Sequence, residues 1–338
     1  MRHAAFHVAI AVLCWFLPII LSAHHSVNAF YDLEAPMVVG GTVTSIRWAN
    51  PHVRLKLEVR SENGESELWD IDSGGPTLLR RLGVTADIVE LGDSVIISGY
   101  PSKRRDDEMI GVSIGLPDGS EAPLFPTLAP RFGHELRSGV HITAEEAAAG
   151  SREARGIFRV WTASRGSNAP VVEPSFTMTA MVGRAAYDPL TEDPALRCIA
   201  QGMPILMDNP FPIQFIDQNS DVLLRFEGWD AARLIHLDED RAPAGIMPTT
   251  LGYSVGRWDG DTLVVTTTDI DWPYFDDVGT PQSSEIALTE RFTLSEDESR
   301  LTYQAVITDP ITLNEPVVRN LHWVWVPGER LEPYNCTL

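Results

Sequence analysis

Residues 251–268 read LGYSVGRWDGDTLVVTTT, a sequence with a turn motif at its centre. Its centre, Asp259-Gly260, is a preferred two-residue turn of β-hairpins. The residues after the turn are mostly β-branched, which is typical of a sheet. The stretch therefore predicts two antiparallel strands, at 253–258 and 262–268, and it indicates a β domain.

The same stretch contains GYSVG at 252–256, a match to the G-x-S-x-G nucleophile elbow of serine hydrolases. In that elbow the serine stands between a strand and a helix. Here a turn and a second strand follow, and the surroundings lack the alternating β/α pattern of such enzymes. An order Ser254, Asp309, His322 can be assembled, but an acidic chain with nine histidines readily gives such a series. We therefore interpret Ser254 as a strand residue.

The composition is that of a globular protein with enough residues for two domains. The chain has 338 residues, of which 44% are hydrophobic and 22% charged. Its formal net charge is −21 at pH 7. A surface so acidic repels phosphate groups, which disfavours nucleic acid and anionic membranes as partners.

Residues 1–23, MRHAAFHVAIAVLCWFLPIILSA, predict a signal peptide. Arg2 gives a basic start, and the apolar run that follows is shorter than the roughly 20 residues of a membrane-spanning helix. We expect cleavage after Ala23, a periplasmic or secreted location, and no membrane contact after cleavage. An uncleaved membrane anchor is the alternative.

Export changes the interpretation of the cysteines. Cys14 would leave with the signal peptide, so Cys198 and Cys336 would remain. In an oxidising compartment these two most simply form one disulfide.

The remaining sequence predicts a mainly β protein with two domains. Residues 24–116 alternate Val/Ile/Leu-rich runs with turn residues and contain one short helix from Pro76, which indicates a small OB-like barrel. Residues 117–150 are predicted to be a Pro-rich linker with a short helix, which starts at a Thr143 to Glu146 capping box and ends near Gly150. Residues 151–338 indicate a larger lipocalin-like antiparallel barrel or sandwich.

Two groups of short motifs resemble those of a known family. The first group is His24-His25-Ser26, Tyr31-Asp32, Gly41-Thr42-Val43 and Asn50-Pro51-His52. The second is GYSVGRWDGDTLVV at 252–265, with Glu290-Arg291-Phe292 and Asp309-Pro310. On these motifs the chain is similar to a family of uncharacterised exported proteins of Gram-negative bacteria. The resemblance implies a fold and no activity.

The preferred function is binding of a small, partly apolar ligand in the C-terminal β domain, which is rich in aromatic residues. The candidate ligand-binding residues are Arg225, Arg257, Trp272, Tyr274 and Asp276. Ordinary filling of the barrel by aromatic side chains is the alternative.

Copper binding by the N-terminal domain is a second candidate function. After cleavage, His24 would present both an amine and an imidazole, and His25 or His52 would add a third nitrogen. This ligand set resembles the histidine brace of copper oxygenases and periplasmic copper carriers. A flexible His-His start, with His52 hydrogen-bonded structurally, is the alternative.

A third candidate is an isomerase or hydrolase that uses His236 with a neighbouring carboxylate, Glu227 or Asp238. Strand alternation places His236 and Leu234 on one face, but it does not decide which face is inside. A histidine with a purely structural hydrogen bond is the alternative. A structural role in the cell envelope is the last candidate, and motifs for zinc proteases, phosphate loops and dinucleotide binding are absent from the sequence.

Overall fold

The computed structural model describes residues 27–60, 64–125, 128, 142–164, 174–189 and 191–337. Along this part of the chain a small β-barrel is followed by a larger one, which confirms the mainly β prediction. The predicted signal peptide, His24 and His25 lie outside the described residues. None of the helices in the described ranges is long and apolar enough to cross a membrane.

The small barrel has the strand order expected of an OB-like fold. Its strands are β1 (Met37–Arg47), β2 (Arg54–Arg60), β3 (Ser66–Asp72), β4 (Ser94–Pro101), β5 (Glu108–Gly115) and β6 (Glu121–Pro123). They are ordered β3-β2-β1-β4-β5-β6, and a parallel pairing between β3 and β5 closes the barrel. The short helix α2 (Pro76–Arg80) lies between β3 and β4 in sequence and begins at the predicted proline.

Side-chain alternation in this barrel separates an apolar interior from a charged outer face. Leu55 and Leu57 of β2 are buried in the core, whereas Arg54 and Lys56 point outward. The N-terminal helix α1 (Val27–Phe30) and the residues after it pack against the outside of β4 and β5. The outer face therefore carries both charged groups and a short covering segment.

The segment predicted as a linker contains regular structure. Strand β6 pairs with β5. Ala122 of β6 and Leu124, which follows it, complete the apolar core of the small barrel. Helix α3 (Ala144–Glu153) begins at the predicted capping box, in which Thr143 and Glu146 bond to each other's backbone amides. The helix extends past Gly150, the predicted end.

The larger barrel closes through nine strands in the order β10-β11-β12-β13-β14-β15-β7-β8-β9. The strands are β7 (Val160–Ala163), β8 (Ile213–Asp217), β9 (Asp221–Phe226), β10 (Ala232–His236), β11 (Tyr253–Asp259), β12 (Thr262–Thr268), β13 (Ala287–Leu294), β14 (Arg300–Thr308) and β15 (Val317–Val324). Neighbours are antiparallel except β10 and β11, which are parallel. Buried side chains such as Trp161, Phe215 and Phe292 fill the interior. Helix α4 (Met178–Ala186), which precedes β8, was not predicted.

Residues 251–268 form the predicted hairpin. Asp259 pairs with Thr262 across the turn, and Gly260 has φ 61°, a left-handed conformation that favours glycine. Ser254 lies in β11 opposite Thr267 of β12. A strand therefore follows the GYSVG sequence, and the interpretation of Ser254 as a strand residue is confirmed.

The two barrels are joined by the C-terminal segment, residues 325–337, which follows β15. The predicted disulfide between Cys198 and Cys336 is confirmed, with a Cα–Cα distance of 5.8 Å. Beside this segment, Arg81 of the small barrel forms a buried ion pair with Glu227 of the larger barrel.

Candidate functional site

A histidine–carboxylate pair lies on the outer face of the small barrel. His52 is in the loop between β1 and β2, and its Nδ1 is 2.9 Å from Oδ1 of Asp72, the last residue of β3. The Asp72 side chain is 7% exposed and that of His52 29%. The ring is therefore held at one edge by a buried carboxylate, and Nε2 has no partner among the described residues.

Further groups fix the Asp72 carboxylate. The Tyr31 hydroxyl donates to Oδ2 at 2.9 Å, the backbone amide of Ser73 donates to Oδ1 at 3.0 Å, and the Arg54 guanidinium is 3.6 Å from Oδ2. Burial by itself raises the pKa of Asp72, but His52, Arg54 and Tyr31 outweigh it and hold the pKa at about 2. Asp72 is therefore ionised at neutral pH, which favours the tautomer with the proton on Nδ1 of His52.

A second buried carboxylate, Glu108 at the start of β5, extends this arrangement. It accepts a hydrogen bond from Ser102 at 2.9 Å and lies 3.2 Å from the Arg104 guanidinium. Arg54 lies between Glu108 and Asp72, at 3.6 Å from each. We call Tyr31, His52, Arg54, Asp72 and Glu108 the His52 cluster.

Only part of the His52 cluster could be predicted from the sequence. The sequence predicts His52 as a candidate ligand, and it points to Tyr31 only through a family motif. Asp72 is 20 residues from His52 and 41 from Tyr31, so barrel closure alone brings the three together. The available signal is an acidic residue at the end of a predicted strand.

Asp72→Asn should lower the free energy of unfolding by about 2 kcal/mol at pH 7, because the folded protein holds the pKa near 2 rather than 3.8. This stabilisation is present above the unfolded-state pKa and is lost as the pH falls through the folded-state pKa. The difference between wild type and variant should therefore shrink between about pH 4 and pH 2. Urea unfolding at a series of pH values measures it.

Asp70→Asn is the matched control for this experiment. Asp70 lies on the same strand, and its ion pairs with Lys56 and Arg105 involve cations that are half exposed. We expect a loss below about 1 kcal/mol. A cost of Asp72→Asn that stays constant across the acidic range would contradict the assignment.

His236 lies on the outer face of the larger barrel. Its Nδ1 is 2.9 Å from Asp221, the residue opposite it across the β9–β10 pairing, and its ring stacks on Tyr253 with centroids 4.7 Å apart. Glu227, one predicted partner, is instead bound by Arg81. Within the described residues no contact joins His236 to Glu227 or Asp238, so the predicted pairing is replaced by an adjacent cross-strand pair.

The candidate ligand-binding residues do not form one site. Arg225 and Arg257 are exposed on the outside of β9 and β11. Trp272, Tyr274 and Asp276 lie in the connection between β12 and β13. There Trp272 is buried, Tyr274 packs edge-on against Tyr187 at 5.1 Å, and Asp276 accepts hydrogen bonds from its own loop. The two arginines and the loop residues were grouped by position in the chain, which does not determine the face they occupy.

A buried polar network stands among the apolar side chains of the larger barrel. Arg233 forms an ion pair with Glu290, and Tyr303 donates to Glu290 at 3.0 Å. Arg233 Nε also donates to Ser254 Oγ at 2.7 Å, and Ser254 contacts Thr267 at 3.1 Å. The Ser254 hydroxyl is therefore buried and bonded within this network, which does not suit a nucleophile.

The potential of the described residues to bind a metal depends on their His, Cys, Asp and Glu side chains. The described ranges contain no group of three or more His, Cys, Asp or Glu residues placed to hold a metal. His24 and His25, which complete the predicted copper set with His52, lie outside those ranges. Of the predicted copper ligands, His52 lies within the described residues.

Fold and site together define a protein of two β-barrels with a buried carboxylate–histidine pair on the smaller one. Residues 15–112 match a family of unknown function, DUF6152. The matched residues include Tyr31, His52, Arg54, Asp72 and Glu108, and thus the whole His52 cluster. No curated protein matches the chain.

Proposed function

We propose that this is an exported protein whose small barrel binds copper through His24 together with His52. The observation that carries the proposal is the 2.9 Å contact between Asp72 and Nδ1 of His52. Metal-binding histidines usually donate a hydrogen bond from the N–H of their second ring nitrogen to a carboxylate or carbonyl, which fixes the ring and raises the basicity of the ligating nitrogen. Asp72 supplies that support, and Nε2 is the nitrogen available for copper.

The anchoring of the N-terminal segment supports the choice of ligands. Tyr31 binds Asp72 through its hydroxyl and forms a β-bridge with Ser102, so the chain enters the described region beside the cluster. Few residues separate His24 from Val27, and each spans at most about 3.6 Å. The chain length therefore permits His24 and His25 to reach the same face.

The chemistry of the donors favours copper. An amine and an imidazole from His24, with Nε2 of His52, make a set of three nitrogen donors, which suits copper among the divalent metals. Cleavage after Ala23 is required, because it releases the amine. The leader sequence supports export, and so does a disulfide, which persists in an oxidising compartment.

Copper titration of the mature protein tests the proposal. His52→Ala should lower the affinity more than tenfold because a ligand is lost, and Asp72→Asn should lower it roughly tenfold because the ring loses its support. One extra residue before His24 should abolish the high-affinity site. His236→Ala, on the other barrel, is the control and should change nothing. Equal affinities of wild type and His52→Ala would overturn the proposal.

The other candidate functions, including a structural role in the cell envelope, stay predictions. Binding of a small, partly apolar ligand by the larger barrel lacks a set of converging residues among those named for it. Acid–base chemistry at His236 has a carboxylate partner in Asp221, and this pair lies on the outer face of the larger barrel.

A further inference from the structure

The loop that carries His52 is bound by the C-terminal segment. Asn50 donates from Nδ2 to the carbonyl of Tyr334 at 2.6 Å, and the amide of Thr337 donates to the carbonyl of Asn50 at 3.0 Å. Arg47, at the end of β1, also donates to the Thr337 carbonyl. Contacts from two points of the segment thus hold one residue of the loop.

A movement of Asn50 also moves His52, because the loop between them is short and rigid. Asn50 is 4% exposed, and between the two residues stands Pro51, whose ring fixes φ. Gly75 packs closely against this loop. A Cβ added to Gly75 would be 2.6 Å from both Asn50 Oδ1 and the Pro51 carbonyl oxygen. The loop therefore has no room to relax toward α2, and a shift of Asn50 displaces His52 relative to Asp72.

The C-terminal segment is anchored to the larger barrel at two places. The amide of Tyr334 donates to Asp230 at 3.0 Å, and its ring packs against Trp229 with centroids 5.0 Å apart. Beyond Tyr334 the anchor is the disulfide to Cys198. Thr337 directly follows Cys336, so its contact with Asn50 depends on that bond.

We infer that the Cys198–Cys336 disulfide controls the His52 cluster, in that its reduction releases Thr337 from Asn50 and lowers the affinity for copper. The consequence for copper rests on the proposed function. Both cysteines are partly exposed, so a dithiol reductant can reach them. One thiolate of the reductant attacks a sulfur atom, the S–S bond breaks, and a mixed disulfide forms. The second thiolate resolves it, leaving two protein thiols and an oxidised reductant.

Amide hydrogen exchange of the metal-free, full-length mature protein tests the structural part of the inference. In the oxidised protein, the amide of Thr337 and the amides of residues 48–53 should exchange roughly five- to tenfold more slowly than after reduction. Reduction removes the hydrogen bond that the Thr337 amide donates to Asn50, and the expected change is the effect of about one hydrogen bond. The β12 amides at 262–268 should not change. The variant Cys198→Ser/Cys336→Ser should match the reduced protein, with far-UV circular dichroism as the check that both barrels remain folded. Equal exchange of residues 48–53 in the oxidised and reduced proteins would overturn the inference.

Copper titration tests the functional part, with the Ser/Ser variant in place of the reduced protein because free thiols would themselves bind copper. We expect the same five- to tenfold loss of affinity, by about one hydrogen bond. A variant that ends at Cys336 with the disulfide intact should show the same loss, which assigns it to Thr337. If the oxidised protein binds no copper, the proposed function is wrong and hydrogen exchange alone decides the inference. Unchanged affinity in both variants overturns redox control.

Discussion

Arg81→Ala should lower the free energy of unfolding by about 3–5 kcal/mol, since it leaves two buried carboxylates without their cation. Arg81 follows α2 and is 6% exposed. It donates to both oxygens of Glu227, at 2.7 and 2.6 Å, and to Glu329 at 3.2 Å. Burial alone lowers the pKa of Arg81, but Glu227 and Glu329 outweigh it and raise the pKa. The guanidinium thus stays charged between the barrels.

Arg80→Ala is the control for this prediction. Arg80 precedes Arg81 and also bridges the barrels, but the side chains of Arg80 and its partner Glu332 are 38% and 39% exposed. An exposed pair contributes less than about 1 kcal/mol. Urea unfolding of both variants measures the two losses of unfolding free energy. Equal losses would show that the ion pairs of Arg81 do not hold the barrels together.

Arg233→Met should also lower the free energy of unfolding by about 3–5 kcal/mol, because it too leaves a buried carboxylate without its cation. The substitution leaves Glu290 buried without a cation, and it removes the donor to Ser254 and Thr267. Arg233 lies on β10 and Ser254 on β11, and backbone pairing between these strands is limited to two residue pairs. The side-chain network therefore reinforces the shortest pairing of β11, and its loss should loosen the barrel there.

Arg291→Met serves as the comparison for Arg233→Met. Arg291 is the neighbour of Glu290 on β13 but faces outward, where it pairs with Asp259, and both side chains are about half exposed. We expect a change below about 1 kcal/mol. Thermal or urea unfolding measures both variants. A small effect of Arg233→Met would mean that water or another group compensates Glu290 within the barrel.

The local parts of the fold could be predicted from the sequence. The strand expected at 262–268 is β12, and that at 253–258 is β11 apart from one residue. The capping box at Thr143 also starts a helix as expected. These features depend on neighbouring residues, so alternation and turn chemistry were sufficient to find them.

The faces of the strands and the long-range pairs could not be predicted. Side-chain alternation predicts that Leu234 and His236 share one face of β10, without deciding which face is inside. In the structure that face is the outer one, because Arg233 and Ile235 are buried. A buried arginine is tolerated only when a partner such as Glu290 meets it, and the partner lies on a distant strand. The same holds for His52, whose partner Asp72 becomes visible only when the small barrel closes.

Strand parity gives the connection between β10 and β11 a special role. A ring with an odd number of strands cannot alternate up and down all the way round, so at least one adjacent pair must run in the same direction. In this chain that pair is β10 and β11, and residues 237–252 carry the backbone from one rim to the other. Such a crossover needs about a dozen residues or more. A short reverse turn therefore could not replace residues 237–252. The barrel requires a long connection at this place, and the segment is not an optional insertion.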